Sequence, residues 1–199
     1  MDSTTLTHRV ETANGRDTDR LLAVLTLAFS ADPIIRYWFS QPRVFLDYFP
    51  RFARAFGGPA IEHGMAHLAG DFCGAALWLP PGVDPDDEAI GRLAQEAVEE
   101  AKLPELERFI EQQEEDRPAE PHWYLPLIGV DPAHQRKGIG AALMDHALAL
   151  CDSEIRLAYL EATSPLNIPL YERHGFEAMG EIQAGESPVM VPMLREPRG

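Results

Sequence analysis

Apolar positions along the chain recur with two different periods, and the periods separate helices from strands. Leu21, Leu22, Val24, Leu25 and Phe29 follow the spacing that lines one side of a helix. Asp17 and Thr18 stand before them as capping residues. Asp32-Pro33 then forbids easy continuation, because the residue before a proline is pushed out of the helical region. The pattern predicts a first helix followed by a sharp turn. Residues 44–56 repeat it with Phe45, Phe49, Phe52 and Phe56, until Gly57-Gly58-Pro59 breaks the run. That aromatic stripe reads as core rather than as a ligand box. Residues 67–69 and 74–79 read as a hairpin of two short strands around Gly70-Asp71, the second stopped by Pro80-Pro81-Gly82.

The second half begins with a charged helical region over residues 86–113, which Pro104 should divide into two helices, and residues 118–121 form a stiff proline-bounded connection. Residues 123–130 are a continuous apolar strand, 138–151 a helix rich in Ala and Leu, and 157–161 another buried strand. Strand, helix, strand implies a parallel pair. A short helix over 167–173 ends at Gly175, and residues 176–179 with 189–194 supply a closing strand pair. The order is α+β around a mixed sheet, with no internal repeat.

The chain has 199 residues, 45% of them hydrophobic and 25% charged, enough for one sizeable core and ordinary for a globular protein. A single domain is expected over residues 1–199, with an acidic helical insertion at about 84–117 and a core at about 122–180. The formal net charge is −15, which would repel a phosphate backbone, so nucleic acid is a poor partner. Between Asp84 and Asp116 stand 13 acidic residues against Arg92, Lys102 and Arg108. That run reads either as the solvated face of the insertion or as a field that concentrates a cationic substrate. Cys73 and Cys151 are too few for a disulfide framework or a zinc site. The N-terminal stretch has no leader pattern, and the best apolar run is too short to span a bilayer. The expectation is a cytoplasmic protein without metal or membrane attachment, a monomer or a homodimer.

Chemistry concentrates between Ile128 and Leu143. Gly138 and Gly140 open a helix directly after a loop, which lets backbone N–H groups approach an anion at the positive end of the helix dipole. Arg136 and Lys137 add two cations. A glycine-rich strand-to-helix turn has the same composition without any ligand. A nucleoside-triphosphate P-loop is excluded, because no Gly-Lys-Ser/Thr triplet follows. A dinucleotide fold finds its ribose-binding acid in Glu161. It lacks a third glycine, since Leu143 holds that place, and seven residues separate Val130 from Gly138 where the strand should run almost directly into the glycines.

Gln135-Arg136-Lys137-Gly138-Ile139-Gly140 matches the Gln/Arg-x-x-Gly-x-Gly/Ala signature of the GNAT superfamily of N-acetyltransferases, and Asn167 through Tyr171 to Gly175-Phe176 matches that family's C-terminal Asn-x-x-x-Tyr-x-x-x-Gly-Phe element. Trp123-Tyr124-Leu125, Gly129-Val130, residues 160–163 and residues 78–82 resemble the puromycin N-acetyltransferase branch, which does not imply puromycin as acceptor. The resemblance implies the GNAT fold: a mixed, mostly antiparallel, splayed sheet flanked by helices, with a helical insertion before the central strand. It further implies acetyl-CoA in the fork between the strands at 123–130 and 157–161, and transfer to an amine of a small molecule by direct attack. A non-catalytic acyl-CoA-binding module and a dinucleotide-dependent oxidoreductase are the alternatives.

The resemblance assigns the cofactor to Ile128, Gly129, Val130, Gln135, Arg136, Lys137, Gly138, Ile139, Gly140, Ala141 and Asn167. Backbone groups of Ile128 and Val130 would bind pantetheine like an added strand. Pro126, which lacks a donor, and Gly129, which marks a bulge or a close approach, fit an imperfectly paired strand. Tyr171 is placed beside the cofactor sulfur, where an ordinary phenol of pKa about 10 suits a thiolate. Asn167, four residues earlier, shares its side of the helix. Glu161 is the first choice for general base and His122 the second, while His134 reads as a loop residue. For the acceptor, Asp32 either pairs a cationic amine or terminates a helix. Trp38 lies in the segment that covers the substrate in this family, and Trp78 and Tyr124 are aromatic walls or core.

Overall fold

The computed structural model describes residues 8–198. The first seven residues, part of the stretch read as carrying no leader, and Gly199 lie outside the described residues. Strand β1 covers Val10–Thr12 and helix α1 Thr18–Ala28. Asp17 holds the cap position of α1, but its carboxylate turns back to the Asn14 N–H at 2.9 Å. The turn at Asp32-Pro33 is also the start of a second helix, α2 (Pro33–Trp38). A proline costs nothing in a first turn, and the Asp32 carboxylate accepts the Ile35 N–H at 3.0 Å. Helix α3 (Pro42–Gly57) buries the aromatic stripe as a ladder, with Phe45 and Phe49 stacked at 5.2 Å and Phe52 and Phe56 at 5.1 Å. The short helix α4 (Pro59–Glu62) leads into the hairpin of β2 (Ala66–Ala69) and β3 (Gly74–Leu79).

The acidic segment holds α5 (Asp87–Ala97) and α6 (Leu103–Asp116). The break between them falls at residues 98–102, ahead of Pro104, which sits in the first turn of α6. Leu93 and Phe109 are the residues these two helices bury, so most of the acidic side chains are solvated. Then follow β4 (His122–Val130), α7 (Ile139–Ser153), β5 (Leu157–Ala162), α8 (Ile168–Arg173), β6 (Glu177–Ala178) and β7 (Val191–Arg195).

The seven strands form one sheet in the order β1-β2-β3-β4-β5-β7-β6. Among the described residues only β4 and β5 pair in parallel, as the intervening helix requires. One face packs on α1, α2 and α3 through Leu77, Leu79, Tyr124, Leu127 and Tyr159. The other packs on α7 through Ala76, Trp78, Trp123, Leu125 and Leu160. Buried Arg195 of β7 binds Asp152 of α7 through two bonds of 2.7 and 2.8 Å and donates to the His174 carbonyl at 2.8 Å, which ties the end of α8 to the sheet. No helix among the described residues is long and apolar enough to cross a membrane.

The parallel pairing runs from His122 opposite Leu157 to Leu125 opposite Leu160 and stops there. Beyond it β4 continues to Val130 paired with β3 alone, so the sheet forks. A register shift between Leu77 and Leu79 places one extra residue in β4 at Leu125-Pro126, a bulge that re-aims the strand. Gly129, by contrast, is a close approach, because a Cβ there would stand 2.5 Å from the Ala28 Cβ of α1. Replacing Gly129 by Ala should therefore push α1 off the sheet and cost about 1–3 kcal/mol, the usual cost of overpacking. Thermal unfolding checks this: an unchanged midpoint would show that α1 moves freely.

Candidate active site

The open edge of β4 can be read from one hydrogen bond. The Asp131 N–H donates to the Cys73 carbonyl at 2.8 Å, toward β3. Peptide planarity turns the Val130 carbonyl the opposite way, and strand alternation sends the N–H and C=O of Ile128 with it. Both residues thus direct their main-chain groups into the fork, whereas Leu127 and Gly129 face β3. Counting back, Pro126 shares the fork edge and has no N–H to offer β5. The Val130 carbonyl accepts from the Gln135 amide at 3.2 Å.

At one end of the fork the chain turns into α7. Asp131 closes the turn by accepting the Ala133 N–H at 2.9 Å, and His134 lies 3.1 Å from the same carboxylate. That backbone bond, aided by His134, lowers the Asp131 pKa, and His134 serves the loop. Arg136 and Gly138 have φ of 61° and 86°, and Gly138 is the residue immediately before α7, where a side chain would strain the left-handed backbone. The first turn of α7 leaves the N–H groups of Ile139, Gly140 and Ala141 without intrahelical partners. A Cβ on Gly140 would meet Leu170 at an ordinary 3.4 Å, so protein packing does not demand glycine there. Exposed Lys137 reaches the Ala133 carbonyl at 3.2 Å, and its own carbonyl accepts from His8 at 2.6 Å. The loop is a cationic rim around free amides.

At the other end, on the face covered by α1 to α3, lies a buried carboxylate. Tyr124 donates to Glu161 at 2.7 Å, while the second Glu161 oxygen is buried without a hydrogen-bond partner among the described residues. Arg117, at the end of α6, stands 5.0 Å over the Tyr124 ring. Burial raises the Glu161 pKa, and the Tyr124 hydrogen bond and the Arg117 charge oppose it. Tyr124 and Tyr159 are both raised by burial and then by the Glu161 charge. His122 donates to the Glu120 carbonyl at 2.8 Å and meets the Tyr159 ring edge-on at 5.5 Å. It is thus one ring removed from the carboxylate.

Tyr171 is buried in the α7-side cluster and edge-on to Phe176. Burial, and then the charge of Asp32 from the opposite face, raise its pKa above the ordinary 10. The unperturbed phenol expected from the sequence is corrected here: the group holds its proton more tightly. Asn167 acts on this turn through its main chain, its carbonyl accepting the Leu170 and Tyr171 N–H groups at 2.9 and 3.3 Å, and its side chain is exposed. Asp32 is buried, caps α2 and also accepts from the Thr163 hydroxyl just beyond β5. Both of its oxygens are engaged, and burial raises its pKa.

Trp38 is a core residue, edge-on to Tyr37 at 4.8 Å and to Phe109 at 5.5 Å. Trp78 and Tyr124 do not form two walls of one pocket. Tyr124 pairs with Leu79, so Trp78 points to the opposite, α7 face. Sequence reasoning missed Tyr159, Arg117 and Thr163. Alternation along β5 places residues 159, 161 and 163 on one face and carried the signal for two of them, whereas Arg117 reaches the site from a helix whose packing no periodicity reveals.

Residues 92–178 match the family model described as acetyltransferase (GNAT) domain. An uncharacterized N-acetyltransferase of Schizosaccharomyces pombe is 30% identical over 152 residues, 69% of this chain. The chain spans 62% of the length of that relative. Among solved structures, one described as histone acetyltransferase HPA2 and related acetyltransferase from Corynebacterium glutamicum superposes with a TM-score of 0.69 at 24% identity over 98% of both chains. Arylalkylamine N-acetyltransferase 2 of Aedes aegypti superposes with 0.67 at 15% identity, over 96% of this chain and 99% of its own. A polyamine N-acetyltransferase of Drosophila melanogaster gives 0.64 at 14% identity, over 95% and 99%. The forked seven-stranded sheet is the GNAT fold.

Because burial raises the Glu161 pKa above the ordinary 4.5, its contribution to stability is full below that value and is lost as pH rises through the folded pKa. Glu161→Gln, an uncharged isostere, should match the parent below pH 4.5 and unfold at a higher temperature near neutrality. A parent that is the more stable at neutral pH would show that the carboxylate is stabilised rather than strained in its site.

Proposed function

We propose that this chain of GNAT fold, its superfamily supported by the match over residues 92–178 and by its structural neighbours, is an N-acetyltransferase that moves acetyl from acetyl-CoA to the amine of a small molecule. The observation that carries the reading is the fork: beyond Leu125 and Leu160 the main-chain groups of Ile128 and the Val130 N–H, turned away from β3, line its edge, with the Val130 carbonyl held by Gln135. An anion cradle opens at one end and a buried carboxylate lies at the other. Pantetheine, a chain of amides, fits such an edge as an added strand. The pyrophosphate fits the first turn of α7, where Gly138, Ile139, Gly140 and Ala141 present backbone donors and Gln135, Arg136 and Lys137 supply side-chain donors. Gly129 keeps the strand close to α1. The Asn167 carbonyl holds the turn that carries Tyr171.

Acetyl-CoA supplies an acetyl group already activated as a thioester. The protein then has to manage two protons. An amine arrives protonated and attacks only as the free base, so a proton must leave its nitrogen. The unpartnered oxygen of Glu161 is the acceptor for it, and the raised pKa makes this carboxylate a stronger base near neutrality than a solvated one. Tyr124 orients the carboxylate through the other oxygen. The departing sulfur needs a proton, and Tyr171 holds one. Burial moves thiol and phenol together: it pushes the Cys151 thiol of this same protein up to about 12. A raised Tyr171 therefore remains matched to a thiolate formed in equally dry surroundings. Burial, with the Asp32 charge adding to it, keeps that phenol protonated, and Asp32 caps α2.

The acceptor is a small amine, consistent with neighbours described as arylalkylamine and polyamine N-acetyltransferases and with the negative charge of Glu161, Asp32 and the insertion. The likeness to the puromycin branch rests on its quoted residues and names no acceptor. Incubating the chain with acetyl-CoA and a panel of primary amines, followed by the thiol released, tests the reading. Amine-dependent release supports it, and binding of acetyl-CoA without release for any amine would leave an acyl-CoA-binding module instead. Tyr171→Phe keeps the ring and removes the proton, so single-turnover transfer should fall by about 10²- to 10⁴-fold with acetyl-CoA affinity unchanged. A Phe variant that transfers at the parent rate would make Tyr171 a packing residue.

A further inference from the structure

Strand β3 begins without a side chain where it runs under the start of α7. Gly74 opens the strand and lies opposite Val130 at the end of β4. The Cys73 carbonyl beside it accepts the Asp131 N–H at 2.8 Å, so β3 holds β4 right up to the loop before α7. A Cβ on Gly74 would stand 2.6 Å from Ile139 Cγ2, 3.2 Å from Leu143 Cδ1 and 3.4 Å from Val130 Cγ2. Ile139 is the first residue of α7 and is buried. Its Cγ2 hangs directly on Cβ, and a β-branched side chain in a helix is nearly fixed at χ1, so that methyl does not swing aside. The φ of Gly74 lies outside the left-handed region, and glycine weakens a strand. The close seat of α7 is what calls for glycine here.

We propose that Gly74 is a positioning residue for acetyl-CoA: by leaving room for Ile139 it sets the spacing between the edge of the fork and the anion cradle. This rests on the function proposed above, in which pantetheine lies along Ile128 and Val130 and the pyrophosphate on the first turn of α7. The two parts belong to one molecule, so both bind at once only when the two subsites stand at the matching distance. Linked groups bind about 10²- to 10⁴-fold more tightly than either alone when the spacing fits, and lose that gain when it does not. The edge is fixed from β3, through the Asp131 N–H on one side of Val130 and Gly129, paired with Ala75, on the other. The cradle is placed by how deeply Ile139 sits on the sheet, and at Gly74 it rests on bare backbone. With one methyl added, the 2.6 Å contact would have to open to an ordinary 3.4 Å or more. The first turn of α7 would retreat by that difference while the edge stayed where β3 holds it, since close-packed interiors transmit such strain.

Gly74→Ala in the full chain tests this with three ligands: acetyl-CoA, S-acetylpantetheine for the edge alone, and ADP for the cradle alone. Each is titrated while the backbone amide resonances of Ile128 and Gly140 are followed. Acetyl-CoA should bind the variant about ten- to a hundredfold more weakly. The fragments should bind it as they bind the parent, S-acetylpantetheine shifting Ile128 and ADP shifting Gly140. Adding Ile139→Ala removes the Cγ2 that the new methyl meets, keeps the main-chain donor, and should restore most of the acetyl-CoA affinity. Should Gly74→Ala fail to fold, Ile139→Leu moves the branch away from Cβ at nearly constant volume and should give the same split in smaller measure. A fragment that weakens in step with acetyl-CoA would make Gly74 an ordinary packing residue, because general damage lowers all three affinities together. Equal acetyl-CoA affinity in variant and parent would show that the spacing is set elsewhere. Either result overturns the proposal. A parent that binds none of the three ligands would instead remove the fork reading, and this inference with it.

Discussion

The end of the parallel ladder between β4 and β5 is the constraint on which the rest of this molecule depends. Strands that pair as far as Leu125 and Leu160 and then separate leave a row of main-chain donors and acceptors unsatisfied, which a folded chain ordinarily avoids. Two local features hold the ladder open. Pro126 removes the donor that would carry it further, and the bulge at Leu125-Pro126 turns the strand so that the remaining groups keep their pairing with β3. With the fork fixed, α7 starts at one of its ends and the Glu161 cluster stands at the other. The unpaired edge is an unfinished strand, and in the proposed function an amide-rich substrate would complete it.

The sheet also divides the work between its faces. Tyr124 and Glu161 lie on the side of α1 to α3, where burial and an arginine from α6 act on one carboxylate in opposite directions. Tyr171 belongs to the α7 side, yet its pKa responds to Asp32 on the other. In the proposed reaction the fork is where the two sides meet. On that proposal Tyr171 would reach it from the α8 turn, which is held by the Asn167 carbonyl and, further on, by Arg195 on the His174 carbonyl.

Much of this was legible in the chain. The hairpin at 67–79, the strand-helix-strand unit and the loop before Gly138 follow from periods and breakers that local sterics enforce. What failed did so for identifiable reasons. Asp32-Pro33 reads as a stop, but the same pair is a good helix start, since proline lacks only a donor that the first turn does not use. Pro104 did mark a division into two helices, but it stands in the first turn of the second rather than at the break itself. Trp78 and Tyr124 looked like partners because both are large and aromatic, yet which face a residue takes depends on the register between β3 and β4, and the bulge shifts that register. The phenol of Tyr171 looked ordinary because neither burial nor the approach of Asp32 is visible before the chain folds.

The proposed fork site is defined by the main-chain groups that acetyl-CoA would cover. Amide hydrogen exchange at single-residue resolution, with and without saturating acetyl-CoA, reads this directly. Exchange at Ile128 and Val130, whose N–H groups face the fork, should slow markedly on binding, and so should exchange at Ile139, Gly140 and Ala141. Gly129 and Leu127, already paired with β3, should change little. Protection that falls equally on all the residues of β4, or that misses Ile128 and Val130 altogether, would contradict the fork as the acetyl-CoA site.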